Sequence, residues 1–101
     1  MPVREAQIKV KILEALNALP ECYAISYPGT EMRRGQPDII GCWRGRMLAL
    51  EVKAMKAKGA TPLQLQVLRK WSQAGAVSGV VRSVEETMEM LEYAMAPSSH
   101  M

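Results

Sequence analysis

Two apolar runs, residues 38–43 and 46–53, flank Arg44-Gly45, and no other feature constrains the fold as much. Apolar runs joined by so short a link ending in glycine signal a β-hairpin, with the two strands paired antiparallel. The second run, Arg46-Met47-Leu48-Ala49-Leu50-Glu51-Val52-Lys53, ends with an acid and a base two residues apart. Side chains alternate across a strand, so Glu51 and Lys53 share one face while Leu50 and Val52 share the other. Charged side chains in so apolar a run call for a partner or a chemical role.

The rest of the chain supplies what surrounds the hairpin. Residues 4–18 carry Ile8, Ile12, Leu16 and Leu19 at helical spacing, widened by Leu13 and Ala15 and ended by Pro20. Residues 22–27 suit a strand closed by Pro28-Gly29. Thr61 suits an N-cap with Pro62 at the first helical position, opening a helix to about Ala74 that Gly75 terminates. Residues 77–81 form a short apolar strand, and Ser83 with Glu86 sets a capping box for a last helix that turns Val84, Met88, Leu91 and Met95 inward. The order α-β-β-β-α-β-α predicts an α/β fold, a mixed sheet flanked by helices. With 101 residues, one domain is expected over 1–96, followed by a disordered tail at 97–101.

Composition narrows the function classes. No apolar run reaches the length of a membrane span, and the N-terminus lacks the pattern of a signal peptide. Cys22 and Cys42 fit no zinc spacing and are expected to be buried, reduced thiols of a cytoplasmic protein. His100 is the sole histidine and lies in the tail, which removes Ser-His-Asp, Cys-His and zinc-histidine hydrolases together. Trp71 is expected in the core, and Trp43 in the core or at an interface. The net charge of +3 is uneven. Arg33, Arg34, Arg44, Arg46, Lys53, Lys56 and Lys58 face only Asp38 and Glu51 across one stretch, where a polyanion would dock. Arg33, Arg34, Lys56 and Lys58 are the candidate nucleic-acid contacts.

The candidate site starts from Gly35-Gln36-Pro37-Asp38, an acid after a turn, and continues to Glu51 and Lys53. Read alone, Asp38 is also a turn-forming acid, and Glu51 with Lys53 also a structural ion pair. Burying such a pair is seldom a net gain in stability, and a metal ion would explain why it is tolerated. Mg²⁺ takes hard oxygen ligands, commonly one or two carboxylates beside several waters. Asp38 and Glu51 supply carboxylates, and the Val52 backbone carbonyl can add a neutral ligand. Lys53 could orient or deprotonate a water, or stabilise charge on a phosphate. Two helical residues extend the set. Glu5 lies on the core-facing stripe with Ile8 and Ile12, or is simply a first-turn acid favoured by the helix dipole. Gln64 shares a face with Val67, Leu68 and Trp71 and points inward, or closes a capping box with Thr61.

Gly35-Gln36-Pro37-Asp38 followed by Glu51-Val52-Lys53 resembles the signature of the PD-(D/E)XK nucleases. Gly59-Ala60-Thr61-Pro62-Leu63-Gln64 and Gly79-Val80-Val81-Arg82-Ser83-Val84-Glu85-Glu86 resemble the VRR-NUC branch, in its stand-alone phage or bacterial type. The resemblance covers Glu5 to about Tyr93. It implies a restriction-endonuclease-like fold and an Mg²⁺- or Mn²⁺-dependent DNA endonuclease. Its catalytic set would be Asp38, Glu51, Lys53, Gln64 and Glu5, with metal at Asp38, Glu51 and the Val52 carbonyl, and Glu5 as a further candidate ligand. Small members resemble Holliday-junction resolvases, homodimers that cut branched DNA, and other members are fused to repair enzymes. Location in the cytoplasm of a bacterial or phage-infected cell follows from the same resemblance. Apolar surface for a dimer is expected at Trp43, Met88, Met90 and Met95. The alternatives are a non-catalytic nucleic-acid-binding module with a nuclease fold, and a structural protein in which Glu51 and Lys53 only pair.

Overall fold

The computed structural model describes residues 4–27 and 34–96. Its elements are α1 (Arg4–Asn17), β1 (Cys22–Ser26), β2 (Ile39–Trp43), β3 (Arg46–Val52), α2 (Pro62–Gln73), β4 (Val77–Val81) and α3 (Val84–Met95). This is the order read from the sequence. The expected tail at 97–101, with His100, lies outside the described residues, as does Arg33.

The hairpin forms as its link dictates. Arg44 and Gly45 take φ values of 52° and 83°, the doubly positive turn whose twist matches paired strands. β2 and β3 pair antiparallel with Ile39 opposite Leu50, and β1 adds antiparallel outside β2. The helix after β3 returns the chain so that β4 pairs parallel, with Val52 beside Val81. The sheet order is β1-β2-β3-β4.

Alternation across the strands divides the sheet into two faces. One face sends Ala24, Ile39, Trp43, Leu48, Leu50, Val52, Val77 and Val81 into a core with Ile12 and Leu16 of α1 and Leu91 of α3. α3 sits close to this face at Gly79, where a Cβ would come within 2.7 Å of the Met90 methyl. The opposite face carries α2, which packs over β3 and β4 and leaves β1 and β2 uncovered. Tyr23 is 71% exposed there, and Ile25 and Cys42 are also exposed.

Several expectations are corrected by this division. Cys42 is exposed and Cys22 only half-buried, because Cys42 falls on β2, on the part of the α2-bearing face that α2 leaves uncovered; both thiols are free. Trp71 is half-buried, with its Nε1 donating to Gln36 Oε1 at 3.3 Å, and so lies at the margin of the core. Trp43 is buried, and Met88 and Met90 pack partly buried against the core. Of the methionines expected at a dimer surface, Met95 alone is largely exposed, because it falls in the last turn of α3. The α3 capping box is half-formed: Ser83 Oγ accepts the Glu86 amide, but the Glu86 carboxylate accepts the N–H of Arg82 and leaves that of Ser83. Among the described residues no helix is long and apolar enough to cross a membrane.

Candidate active site

Asp38, Glu51 and Lys53 meet on the α2 side of the sheet because β2 begins where β3 ends. Ile39 pairs with Leu50, so Asp38, the residue just before β2, lies alongside Glu51 and Val52. Pro37 is fully buried just before it, a suitable place for a residue without an N–H donor. The Asp38 N–H donates to Leu50 O at 2.9 Å, and Asp38 Oδ2 accepts the Val52 N–H at 2.8 Å. The Asp38 carboxylate is thus fixed by the strand that carries Glu51. In an extended strand the N–H and C=O of one residue point to the same edge, so the Val52 carbonyl also faces the Asp38 side.

Glu51 is 3% exposed. Its Oε2 accepts Gln64 Nε2 at 2.7 Å and lies 3.5 Å from Lys53 Nζ. Its Oε1 is buried and has no hydrogen-bond partner. A buried carboxylate oxygen left in that state is costly, and the cost disappears if a cation or a donor is bound there. Burial and the adjacent Asp38 charge push the Glu51 carboxyl up to about 7, against the opposing pull of Lys53, with Glu5 adding to the rise. This is a carboxylate that gains from a positive neighbour beyond Lys53.

Gln64 both closes the capping box and points inward to Glu51. Its Oε1 accepts the Thr61 N–H at 2.9 Å while Thr61 Oγ1 accepts the Gln64 N–H at 3.1 Å, a complete capping box. Its Nε2 is left to donate to Glu51. One amide has two chemically different ends, and the site and the helix start use one each.

Glu5 departs from its expected place. It is exposed and approaches from α1, which packs on the other face of the sheet. Its Oε2 accepts the Ala54 N–H at 3.4 Å, at the exit of β3. Its charge acts on Glu51, but it does not complete a carboxylate cage. Among the described residues, no group of three or more His, Cys, Asp or Glu side chains is arranged to hold a metal. Two carboxylates, those of Asp38 and Glu51, are thus what the site could offer a metal, a number that suits only an ion keeping much of its water, as Mg²⁺ does.

Arg34, Lys56 and Lys58 are exposed, the latter two on the loop that follows β3. Sequence reasoning gave no individual role to Arg82. It directly follows β4, and the parallel register that sets Val81 beside Val52 brings it next to the exit of β3. Nothing in local spacing reports that register.

Comparison by sequence alone gives no match, either to a family model or to a curated protein. Comparison by structure does. One solved structure, a "VRR_NUC domain protein", superposes with a TM-score of 0.71 at 15% identity, over 94% of this chain and 90% of that one. Another, a "VRR_NUC domain", gives a TM-score of 0.67 at 26% identity, over 91% of this chain and 98% of that one. The likeness, along nearly the whole of both chains, gives this protein the nuclease fold of the VRR-NUC domains, a four-stranded mixed sheet flanked by helices.

Proposed function

We propose that the protein is a divalent-metal-dependent DNA endonuclease acting on branched substrates such as Holliday junctions or flaps. The observation that carries this reading is the buried Glu51 carboxylate. One oxygen is held by Gln64 and Lys53, and the other is buried without a partner, in a carboxylate whose ionisation is opposed by the nearby Asp38 charge. In a purely structural role the buried second oxygen would be expected to have a hydrogen-bond donor of its own, whereas a metal ligand keeps an oxygen for the ion.

In this reading Asp38 and Glu51 hold Mg²⁺ or Mn²⁺, with the Val52 carbonyl as a neutral ligand and Glu5 beside them at the strand exit. The ion, when bound, supplies Lewis-acid polarisation of the scissile phosphate and a lowered pKa for a water nucleophile. Gln64 fixes the rotation of the Glu51 carboxylate. Lys53, half-buried beside it, either orients and deprotonates the attacking water or balances the charge that builds on the phosphate. Arg33, Arg34, Lys56 and Lys58 contact the sugar–phosphate backbone, which fixes register without reading sequence.

The functional unit is a single domain reaching to residue 96, and it works as a homodimer. One site cuts one strand, and paired cuts in a branched duplex call for two sites related by a two-fold axis. The uncovered apolar face at Tyr23 and Ile25 supports such a contact. The free thiols Cys22 and Cys42 suit the reducing cytoplasm of a bacterial or phage-infected cell.

The test incubates the purified protein with four-way junction, flap and linear duplex DNA in Mg²⁺, Mn²⁺ or EDTA. Metal-dependent cleavage of the branched substrates, abolished by Asp38→Ala and by Lys53→Ala, is expected. Cleavage that survives either substitution would overturn the site assignment, and tight binding without cleavage would leave a binding module. Sedimentation at micromolar concentration reads the oligomeric state, and a monomeric mass would count against the dimer.

A further inference from the structure

β3 ends at Val52, and the last ladder bond beyond it runs from the Lys53 N–H to Val81 O at 3.1 Å. The chain then leaves the sheet in a turn closed by the Ala57 N–H donating to Ala54 O at 3.1 Å. Onto this turn Arg82 directs one guanidinium nitrogen. Nη1 donates to Ala54 O, to Ala57 O at 3.1 Å and to Met55 O at 3.4 Å. Arg82 is itself anchored through its backbone N–H, which donates to Glu86 Oε1 at 2.8 Å. Among the described residues no carboxylate forms an ion pair with its guanidinium. A guanidinium that turns one nitrogen onto three carbonyls of one turn, and pairs with no acid, serves to hold that turn.

We propose that Arg82 is the positioning residue for Lys53, holding the 54–57 turn so that the Lys53 ammonium stays beside Glu51 at the reacting centre. The proposal rests on the nuclease reading given above and adds to it a residue that touches neither substrate nor metal. Lys53 is the residue at which the ladder stops, so its backbone is held by the sheet on one side only. On the other side it is held by the turn. Glu5 fastens the same turn at the Ala54 N–H, so α1 and the start of α3 grip it from opposite directions. A displacement on the order of 1 Å at a positioning group can lower a rate on the order of 10²-fold. Loosening this turn should therefore be read in turnover, and binding of DNA should be spared.

The test compares Arg82→Met, which retains much of the volume without donors, with Arg82→Lys, which restores a cationic donor. Arg82→Met should lower kcat by about 10- to 100-fold while KM for junction DNA stays within about twofold, and Arg82→Lys should recover at least about threefold of that loss. Backbone amide exchange supplies a readout besides activity: the Ala57 amide should lose protection in Arg82→Met while the amides of β2 and β3 keep theirs. Wild-type kcat in Arg82→Met would overturn the proposal, and so would a loss confined to KM, which would make Arg82 a DNA contact. If Arg82→Met does not fold, Arg82→Lys and Arg82→Gln carry the same comparison. If the wild-type protein cleaves no DNA with either metal, the nuclease reading falls, and exchange then decides the claim about the turn. Unchanged Ala57 protection in the variants would overturn it.

Discussion

Gln64 Nε2 lies 2.7 Å from Glu51 Oε2, and the same amide accepts the Thr61 N–H through its oxygen at 2.9 Å. The start of α2 and the buried carboxylate of β3 are therefore joined through one side chain. The helix cannot shift at its first turn without turning the Glu51 carboxylate, and the free oxygen of that carboxylate keeps its direction while the cap holds.

Gln64→Glu separates the two functions. A glutamate still accepts the Thr61 N–H, so the capping box survives. It cannot donate to Glu51 and sets a second negative charge against it. Cleavage should fall by at least about tenfold, as for loss of a preorganised donor, while the thermal midpoint changes little at acid pH. Gln64→Ala loses the cap as well and should cost about 0.5–2 kcal/mol of stability. Equal activity in wild type and Gln64→Glu, measured on a common junction substrate, would confine Gln64 to capping.

Glu51 also predicts how stability changes with pH when a chelator is present. Its carboxyl titrates at about 7 in the folded chain, against an ordinary value of 4.5, because it is buried beside Asp38. Between these values the folded state holds a proton that the unfolded state has released. Its contribution is fully present below about 4.5 and is lost as pH rises through about 7. In EDTA, the urea midpoint of wild type should fall relative to that of Glu51→Gln between pH 5 and pH 8. Adding Mg²⁺ at pH 8 should raise the wild-type midpoint, through preferential binding to the folded state, and leave Glu51→Gln nearly unmoved. Parallel pH curves for the two proteins would rule out the buried carboxylate as their source.

Asp38 has a structural duty that must be separated from the chemical one proposed for it. Its Oδ2 accepts the Val52 N–H, closing the junction between the start of β2 and the end of β3. Asp38→Asn keeps an acceptor oxygen there and removes the charge. Asp38→Ala leaves the Val52 N–H without its partner, at a cost of about 1–3 kcal/mol. Chemical denaturation should thus find Asp38→Asn close to wild type and Asp38→Ala clearly weaker, whereas cleavage assays should find both inactive. An active Asp38→Asn protein would exclude a metal-binding role for the carboxylate.

The legible part of this fold was its local grammar. The Arg44-Gly45 turn, the Thr61-Pro62 helix start and the period-two pattern around Glu51 are each set by neighbours in sequence, and each is found where those neighbours put it. The inward face of Gln64 was legible for the same reason, since helical spacing alone aligned it with Leu68. What escaped depended on which element covers which strand. Cys42 and Trp71 read as buried because each stands among apolar residues, but α2 covers only β3 and β4. Glu5 lies on the stripe shared with Ile8 and Ile12, yet it falls at the first turn of α1, past the sheet edge, where the stripe meets the strand exit and solvent. The contact of Arg82 with the 54–57 turn required the parallel register of β3 and β4, a long-range property with no local signal.

The outer edge of β1 carries a device that bears on assembly. Asn17, the last residue of α1, donates from Nδ2 to Ala24 O at 2.9 Å, and its Oδ1 accepts the Ala24 N–H at 2.8 Å. The side-chain amide occupies the place that a neighbouring strand would take, and so closes the middle of the exposed edge. Sheet extension through the middle of β1 is opposed by this contact. Asn17→Ala should lower stability by roughly 1 kcal/mol, the modest value expected where water can reach the freed groups. It should also add concentration-dependent species heavier than wild type in sedimentation velocity, as the edge becomes available to other chains. Asn17→Asp retains the acceptor for the Ala24 N–H but sets a carboxylate against the Ala24 carbonyl, and it should be destabilised without gaining the heavier species, because the added charges repel. Identical sedimentation profiles for Asn17→Ala and wild type across the concentration range would show that the amide does not guard the edge.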